Sequence, residues 1–204
     1  MGADPDIYCA NRCLEAVFYD YNGTEAECLS LIKEGADVNV ALLHPKYSYP
    51  NPALVQAVQQ NFTELALILL DHGADVNAKG IAENTALIHA ASNGNERLVK
   101  ALLEKGADVN LGSEYDITPI MFGALSGKKK VVTALIDNGA DIYAKNRGGG
   151  NALALVHDKP DMIALMIDAH KQRVTRLFET AAQKGTAQPH KIRRRTPNGG
   201  PDAT

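Results

Sequence analysis

The chain has 204 residues, 45% hydrophobic and 22% charged, with a formal net charge of −3, a balance that fits a soluble globular protein with one sizeable core. Aromatic residues are only 5% and tryptophan is absent, so the core is expected to be aliphatic and alanine-rich. No apolar run approaches the roughly 20 residues that cross a bilayer, the longest being residues 65–70, which excludes a membrane-spanning helix.

Residues 1–11 form a lead-in without the basic start and apolar core of a signal peptide. This favours a cytoplasmic protein, with export and removal of a leader as the alternative. The three cysteines, Cys9, Cys13 and Cys28, are an odd and low count, more typical of a reducing compartment than of a disulfide framework. Cys13 and Cys28 fall on neighbouring predicted helices. A bridge there would close a loop of about 15 residues and add roughly 3 kcal/mol.

From residue 12 onward the chain repeats itself. The sequence GADVN starts at residues 35, 73 and 106 and GADIY at 139, giving spacings of 38, 33 and 33. A period in this range predicts a stack of supersecondary units. The first unit, about 12–40, has Gly23 at its inner turn. The second, about 51–77, begins at Pro52 and turns at Asn61. The third, about 84–110, is the clearest. Thr85 is placed to cap a helix bearing Leu87, Ala90 and Ala91, Gly94 to break it, and Leu98, Val99, Leu102 and Leu103 to form a second amphipathic helix that Gly106 ends. In the fourth, about 117–143, Thr118 is expected to cap, Pro119 to occupy the first helical position and Gly127 to mark the turn. The fifth, about 150–170, has Pro160 at the expected turn and no closing GAD. A helix over 171–184 is expected to complete a C-terminal cap with a polar outer face. Residues 185–204 carry four basic residues and one acid, so they read as a disordered basic tail at +3 on a body at −6. A helix pair of this length cannot bury its faces alone, so each unit must stack on the next.

The motifs resemble those of the ankyrin repeat, a unit of about 33 residues that starts Thr-Pro-Leu-His and ends Gly-Ala-Asp-Val-Asn. The resemblance covers about residues 12–170 and implies an all-α ankyrin-repeat solenoid of antiparallel helix pairs with β-turn fingers. Two departures stand out: Ile88 takes the place of the family's histidine, with His89 one place later, and Pro52 takes the place of the capping threonine.

No enzyme is legible. The six histidines are scattered, and none has metal-ligand spacing to cysteines or carboxylates. "GALSGKK" at 123–129 has three residues between its glycines rather than the four of a phosphate loop and falls at an inter-helix turn. Accordingly no catalytic, metal or cofactor residue is assigned. "KIRRR" at 191–195 is basic, but no aromatic stacking platform accompanies it, so nucleic acid is not the expected partner.

The resemblance implies a non-enzymatic protein-binding module, monomeric when free, whose partner lies across the finger tips and the concave palm. Carried over position by position, it puts Tyr47, Tyr49, Ile81, Asn84, Glu114, Tyr115, Ile117 and Arg147 on the fingers. On the palm it puts Tyr21, Gln59, Gln60, Ser92, Asn93, Leu125 and Lys159. The first spacing is five residues longer than the others, so residues 41–52 form an enlarged first finger, stiffened by Pro45, Pro50 and Pro52. A sharper expectation is an inhibitor or immunity protein that occludes a partner enzyme. The alternative is a cytoplasmic or nuclear adaptor whose basic tail docks nucleic acid or another acidic partner.

Overall fold

A computed structural model describes residues 30–39, 41–43 and 50–183. Tyr21, Tyr47, Tyr49, the paired-cysteine question at Cys13 and Cys28, and the tail 185–204 lie outside the described residues.

The closing turn of the first unit, residues 30–33, leads through its GADVN loop to a two-stranded antiparallel pair, β1 (Ala41–Leu43) and β2 (Pro50–Pro52). The register sets Ala41 on Pro52, Leu42 on Asn51 and Leu43 on Pro50. These two strands bracket residues 44–49, which lie outside the described residues. Proline has no N–H to give a ladder, and a lone two-stranded stem leaves each strand an edge where that loss is tolerated.

Each following unit is a pair of short helices: α1 (Ala53–Gln59) with α2 (Thr63–Asp71), α3 (Ala86–Asn93) with α4 (Glu96–Glu104), and α5 (Pro119–Leu125) with α6 (Lys129–Asp137). The fifth unit has a four-residue α7 (Ala152–Leu155) and a 24-residue α8 (Pro160–Gln183). The first helices stack in one row, α1 on α3 on α5 on α7, and the second helices in another, α2 on α4 on α6 on α8. This is the all-α solenoid expected from the period.

Small residues set how closely the inner row stacks. Ala53, Ala57, Ala86, Ala90, Ala91 and Ala124 are fully buried. Leu54, Leu87, Leu98, Leu102 and Ile120 fill the space between the rows. Truncating one of these leucines to alanine costs about 2–5 kcal/mol, because a solenoid core collapses poorly around a cavity.

The helix ends show which local signals survive. Thr85 Oγ1 accepts the Ile88 N–H at 3.3 Å, as its position predicts. Asn95 and Asn151 cap in the same way, accepting from the N–H groups of Leu98 (3.1 Å) and Ala154 (2.9 Å). Gly94 ends α3 in the left-handed region at φ 75°. Pro52 stands before α1 without a side-chain cap. Thr118 differs from expectation: it has N-cap backbone angles, but its Oγ1 is buried and makes no hydrogen bond among the described residues. Pro119 supplies the fixed φ that starts α5 instead. Pro160, expected at a turn, is the first residue of α8. That helix runs unbroken through the 170/171 boundary expected between the fifth unit and a separate capping helix.

The GADVN motif ties unit to unit. Each asparagine side chain bridges two backbone groups of the next loop. Asn39 Oδ1 accepts from Asp75 N at 2.7 Å, while its Nδ2 donates to Gly73 O at 3.4 Å. Asn77 does the same with Asp108 and Gly106, and Asn110 with Asp141 and Gly139. Each aspartate Oδ1 accepts from the N–H two residues on, at 2.8–2.9 Å, which shapes the loop to present the asparagine. In GADIY the asparagine becomes Tyr143, and the fifth unit has no GAD loop for it to bridge. Its ring instead stands edge-on to His170 of α8, centroids 5.7 Å apart.

Candidate functional site

The fingers are tight turns between a GADVN loop and the next inner helix. In the second finger, Lys79 and Thr85 form a single β-bridge around a 3₁₀ turn at Ile81–Glu83, with Gly80 N–H donating to Asn84 O at 2.9 Å. In the third, Ser113 N–H donates to Ile117 O at 3.1 Å, and in the fourth Asn146 N–H donates to Gly150 O at 2.9 Å. Glu83, Asp116 and Gly149, at intervals of one repeat, all take a left-handed backbone, φ 56°, 56° and 79°. Glycine suits that position best; the two acidic residues hold it against steric strain.

The fingers are hydrogen-bonded to one another. Glu114 N–H donates to Ala82 O at 2.9 Å, and one repeat later Arg147 N–H donates to Tyr115 O at 3.1 Å. Arg147 also pairs with Asp116 at 3.4 Å, and Lys79 with Glu83 at 2.8 Å. The lysine draws the Glu83 carboxyl below its usual pKa by hydrogen bond and charge. The finger row is thus a coupled edge rather than independent loops. Ile81 (41% exposed) and Tyr115 (57%) project from it, beside exposed Glu114 and Arg147. Ile117 and Asn84 are half-buried at its base, and the Asn84 Oδ1 is buried without a partner among the described residues.

The palm residues form a second row, at the far ends of the inner helices. Gln59 and Gln60 close α1, Ser92 and Asn93 close α3, and Leu125 closes α5 at 41% exposure. Lys159 precedes α8. Inner helices of 7–8 residues put the two rows about 10–12 Å apart along the helix axis. Two members of this row also brace the stack: Asn93 Nδ2 donates to Val58 O at 3.1 Å, and Lys159 Nζ to Leu125 O at 2.7 Å. Part of their polar capacity is therefore structural.

Between the rows lies a set of positions that the resemblance did not supply. Gln56, His89, Phe122 and Leu155 recur at 33-residue steps, the first three of them three residues, just under one turn, before the palm positions Gln59, Ser92 and Leu125. His89, Phe122 and Leu155 are half-buried where their helical neighbours Ile88, Ala90, Met121 and Ala124 are fully buried, so they line the accessible stripe of the inner helices. Gln56 is nearly covered and accepts from Asn51 Nδ2 at 2.7 Å. Burial lowers the His89 pKa from its usual value, which keeps the ring neutral at pH 7. The palm centre is consequently apolar or neutral, and covering it desolvates little charge. The 33-residue register, applied to the middle of the inner helix as well as its end, would have identified these residues in the sequence.

Among the described residues no group of three or more His, Cys, Asp or Glu side chains is placed to hold a metal ion, and no helix is long and apolar enough to cross a membrane. Residues 54–146 match the family model for ankyrin repeats in three copies, the span that holds the second and third fingers and α1 to α6. No curated protein sequence matches the chain. Ankyrin repeats as a class are protein-interaction modules. With the period, the two helix rows and the family match in agreement, residues 54–146 are an array of ankyrin repeats.

Proposed function

We propose that the array binds a protein partner across its finger row and inner-helix stripe, without chemistry of its own, and that it acts as an inhibitor or immunity protein covering a partner enzyme. The observation that carries this is the exposure of Ile81 and Tyr115 on fingers already locked to each other by backbone hydrogen bonds. Tyrosine and isoleucine held on a preformed edge bury apolar area on docking with little loss of conformational freedom. Leu125 and Phe122 extend that apolar surface toward the palm, and Tyr47 and Tyr49 of the enlarged first finger are proposed as further anchors.

The test is affinity capture of the partner followed by titration with variants. Tyr115→Ser is expected to weaken binding by about 2 kcal/mol, the scale of an interface anchor, and Ile81→Ser to add to it. Replacing Tyr47, Tyr49, Ile81 and Tyr115 together and finding affinity unchanged would place the interface elsewhere. The inhibitor reading requires that the captured partner be an enzyme whose turnover falls stoichiometrically with added array. A partner without activity, or one that turns over normally in the complex, leaves only the binding reading standing.

A further inference from the structure

The inner helices α1, α3, α5 and α7 carry no Asp, Glu, Lys or Arg, and His89 is the one titratable side chain on them. It stands one place after the position of the family's histidine, and that step turns it outward. Ile88 is fully buried, whereas His89 is half-buried on the accessible stripe, at the register of Gln56 on α1 and Phe122 on α5. Neither ring nitrogen makes a hydrogen bond among the described residues, and neither is enclosed as the Nδ1 of His170 is. Burial biases the ring to its neutral form, with no contribution from a neighbouring charge. The two helices stacked on α3 in its own row, α1 and α5, are uncharged. On α4, Glu96 pairs with Lys100 and Arg97 with Glu64, and Glu104 is exposed. On the fingers Lys79 pairs with Glu83 and Arg147 with Asp116, and Glu114 is exposed. Lys128 lies against Gly94, past the end of α3. An imidazole with its donor and acceptor both free, on an uncharged strip, matches a partner segment that is itself uncharged and brings one group to hydrogen-bond there. A carboxylate laid on the strip would give up its water for a single neutral group, which is costly.

We propose that His89 is a specificity-determining residue of the palm: its neutral ring holds an uncharged, apolar segment of the partner through one hydrogen bond, and its protonation releases that segment. The inference rests on the docking face proposed above, and adds the chemistry of the segment and the direction in which acid acts on it. The sign follows from burial. A segment covering the ring removes more of its water, so the complex resists protonation more than the free chain does. Binding is therefore full above about pH 6.5 and weakens as pH falls through the free-chain value, by at most about tenfold per pH unit for one proton. An acidic segment would do the reverse, since a carboxylate beside the ring favours its charged form.

The probe is a phage-displayed library of random peptides of about 12 residues, long enough to cross the four inner helices. It is selected on the full chain at about pH 7.5, and the enriched peptides are titrated against the chain and its variants between about pH 7.5 and pH 5, with the helical signal followed on the same samples. Peptides that Leu125→Glu or Tyr115→Ser weakens about tenfold lie on the proposed face. These are expected to be poor in Asp and Glu and to bind at least about threefold more weakly at the acid end of the range. His89→Gln, whose amide hydrogen-bonds without titrating, is expected to remove that pH dependence. His89→Ala is expected to weaken binding at about pH 7.5 as well, by about two- to tenfold, the scale of one hydrogen bond. Acidic peptides on this face, binding that is indifferent to pH or tightens with acid, or a pH dependence that survives in His89→Gln overturns the proposal and leaves the docking face standing. A library that yields no peptide sensitive to Leu125→Glu or Tyr115→Ser removes the docking face, and the role of His89 with it.

Discussion

Asn51 fills the space that a side chain on Gly80 would need: a Cβ built at Gly80 lies 2.0 Å from Asn51 Oδ1 and 2.9 Å from Val55 Cγ1. Asn51 cannot swing away freely, because its Nδ2 donates to Gln56 at 2.7 Å and Gln59 at 3.3 Å within a buried site. Gly80→Ala is therefore expected to destabilise the array by about 1–3 kcal/mol, and adding Asn51→Ala to recover part of that loss. Urea denaturation of the two single variants and the double variant measures the coupling, and simple additivity would refute the clash. Gly123 makes the contrast. Its Cβ would meet Val131 and Val132 at 3.5 Å, ordinary contact, inside α5. Gly123→Ala should stabilise by about 0.5–1 kcal/mol through helix propensity.

The asparagine ladder should be worth more than a surface hydrogen bond. Asn77→Ala removes both its bond from Asp108 N–H and its bond to Gly106 O, two ties to the next unit made by one half-buried side chain. A loss of about 1–2 kcal/mol is expected in thermal or urea unfolding. Tyr143→Asn, by contrast, should gain nothing, since no further GAD loop follows and the ring contact with His170 is lost.

Asp116 holds a left-handed backbone at φ 56° and pairs with Arg147 only at 3.4 Å on the surface. Relieving the strain outweighs losing such a pair, so Asp116→Gly is expected to raise stability by about 0.5–1 kcal/mol. Glu83→Gly should move in the same direction. If the finger row is the partner-binding edge, both variants should fold better and bind worse, which stability and affinity measured on one sample would separate.

His89 predicts a pH dependence. Its folded pKa lies below the unfolded value of about 6.5 because burial disfavours the charged ring. Below that value the unfolded chain takes up a proton that the folded chain resists, so stability is full above about pH 6.5 and falls as pH drops toward the folded pKa. His89→Gln should flatten the stability profile between about pH 7 and 5. The carboxylates of Glu83 and Glu96, drawn down by Lys79 and Lys100, titrate below that window. An unchanged slope in the variant would assign the effect to another group.

Much of the fold was legible because its signals are local or strictly periodic. Thr85 caps by reaching three residues along its own chain, and Gly94 and Gly106 turn with the positive φ, 75° and 89°, that glycine adopts freely. Thr118 has the same sequence context, yet its hydroxyl is buried without a hydrogen bond. The finger residues Ile81 and Tyr115 stood where the register placed them. The palm centre at His89 and Phe122 does not follow from the helix-end positions, because exposure along an inner helix depends on how far the neighbouring units cover it.

The sequence by itself determined the repeat length, the stacking of helix pairs, the five extra residues between the first two GADVN motifs and the end of the asparagine ladder at Tyr143, since each follows from spacing along one chain. Only the tertiary structure decided that the fingers bond to one another through Ala82 and Tyr115 carbonyls, that Asn93 and Lys159 brace the adjacent helix, and that α8 runs on past the last unit with Leu177 and Phe178 uncovered. Those features arise between units, where stacking distance and mutual burial decide which polar groups meet and which apolar ones remain in water.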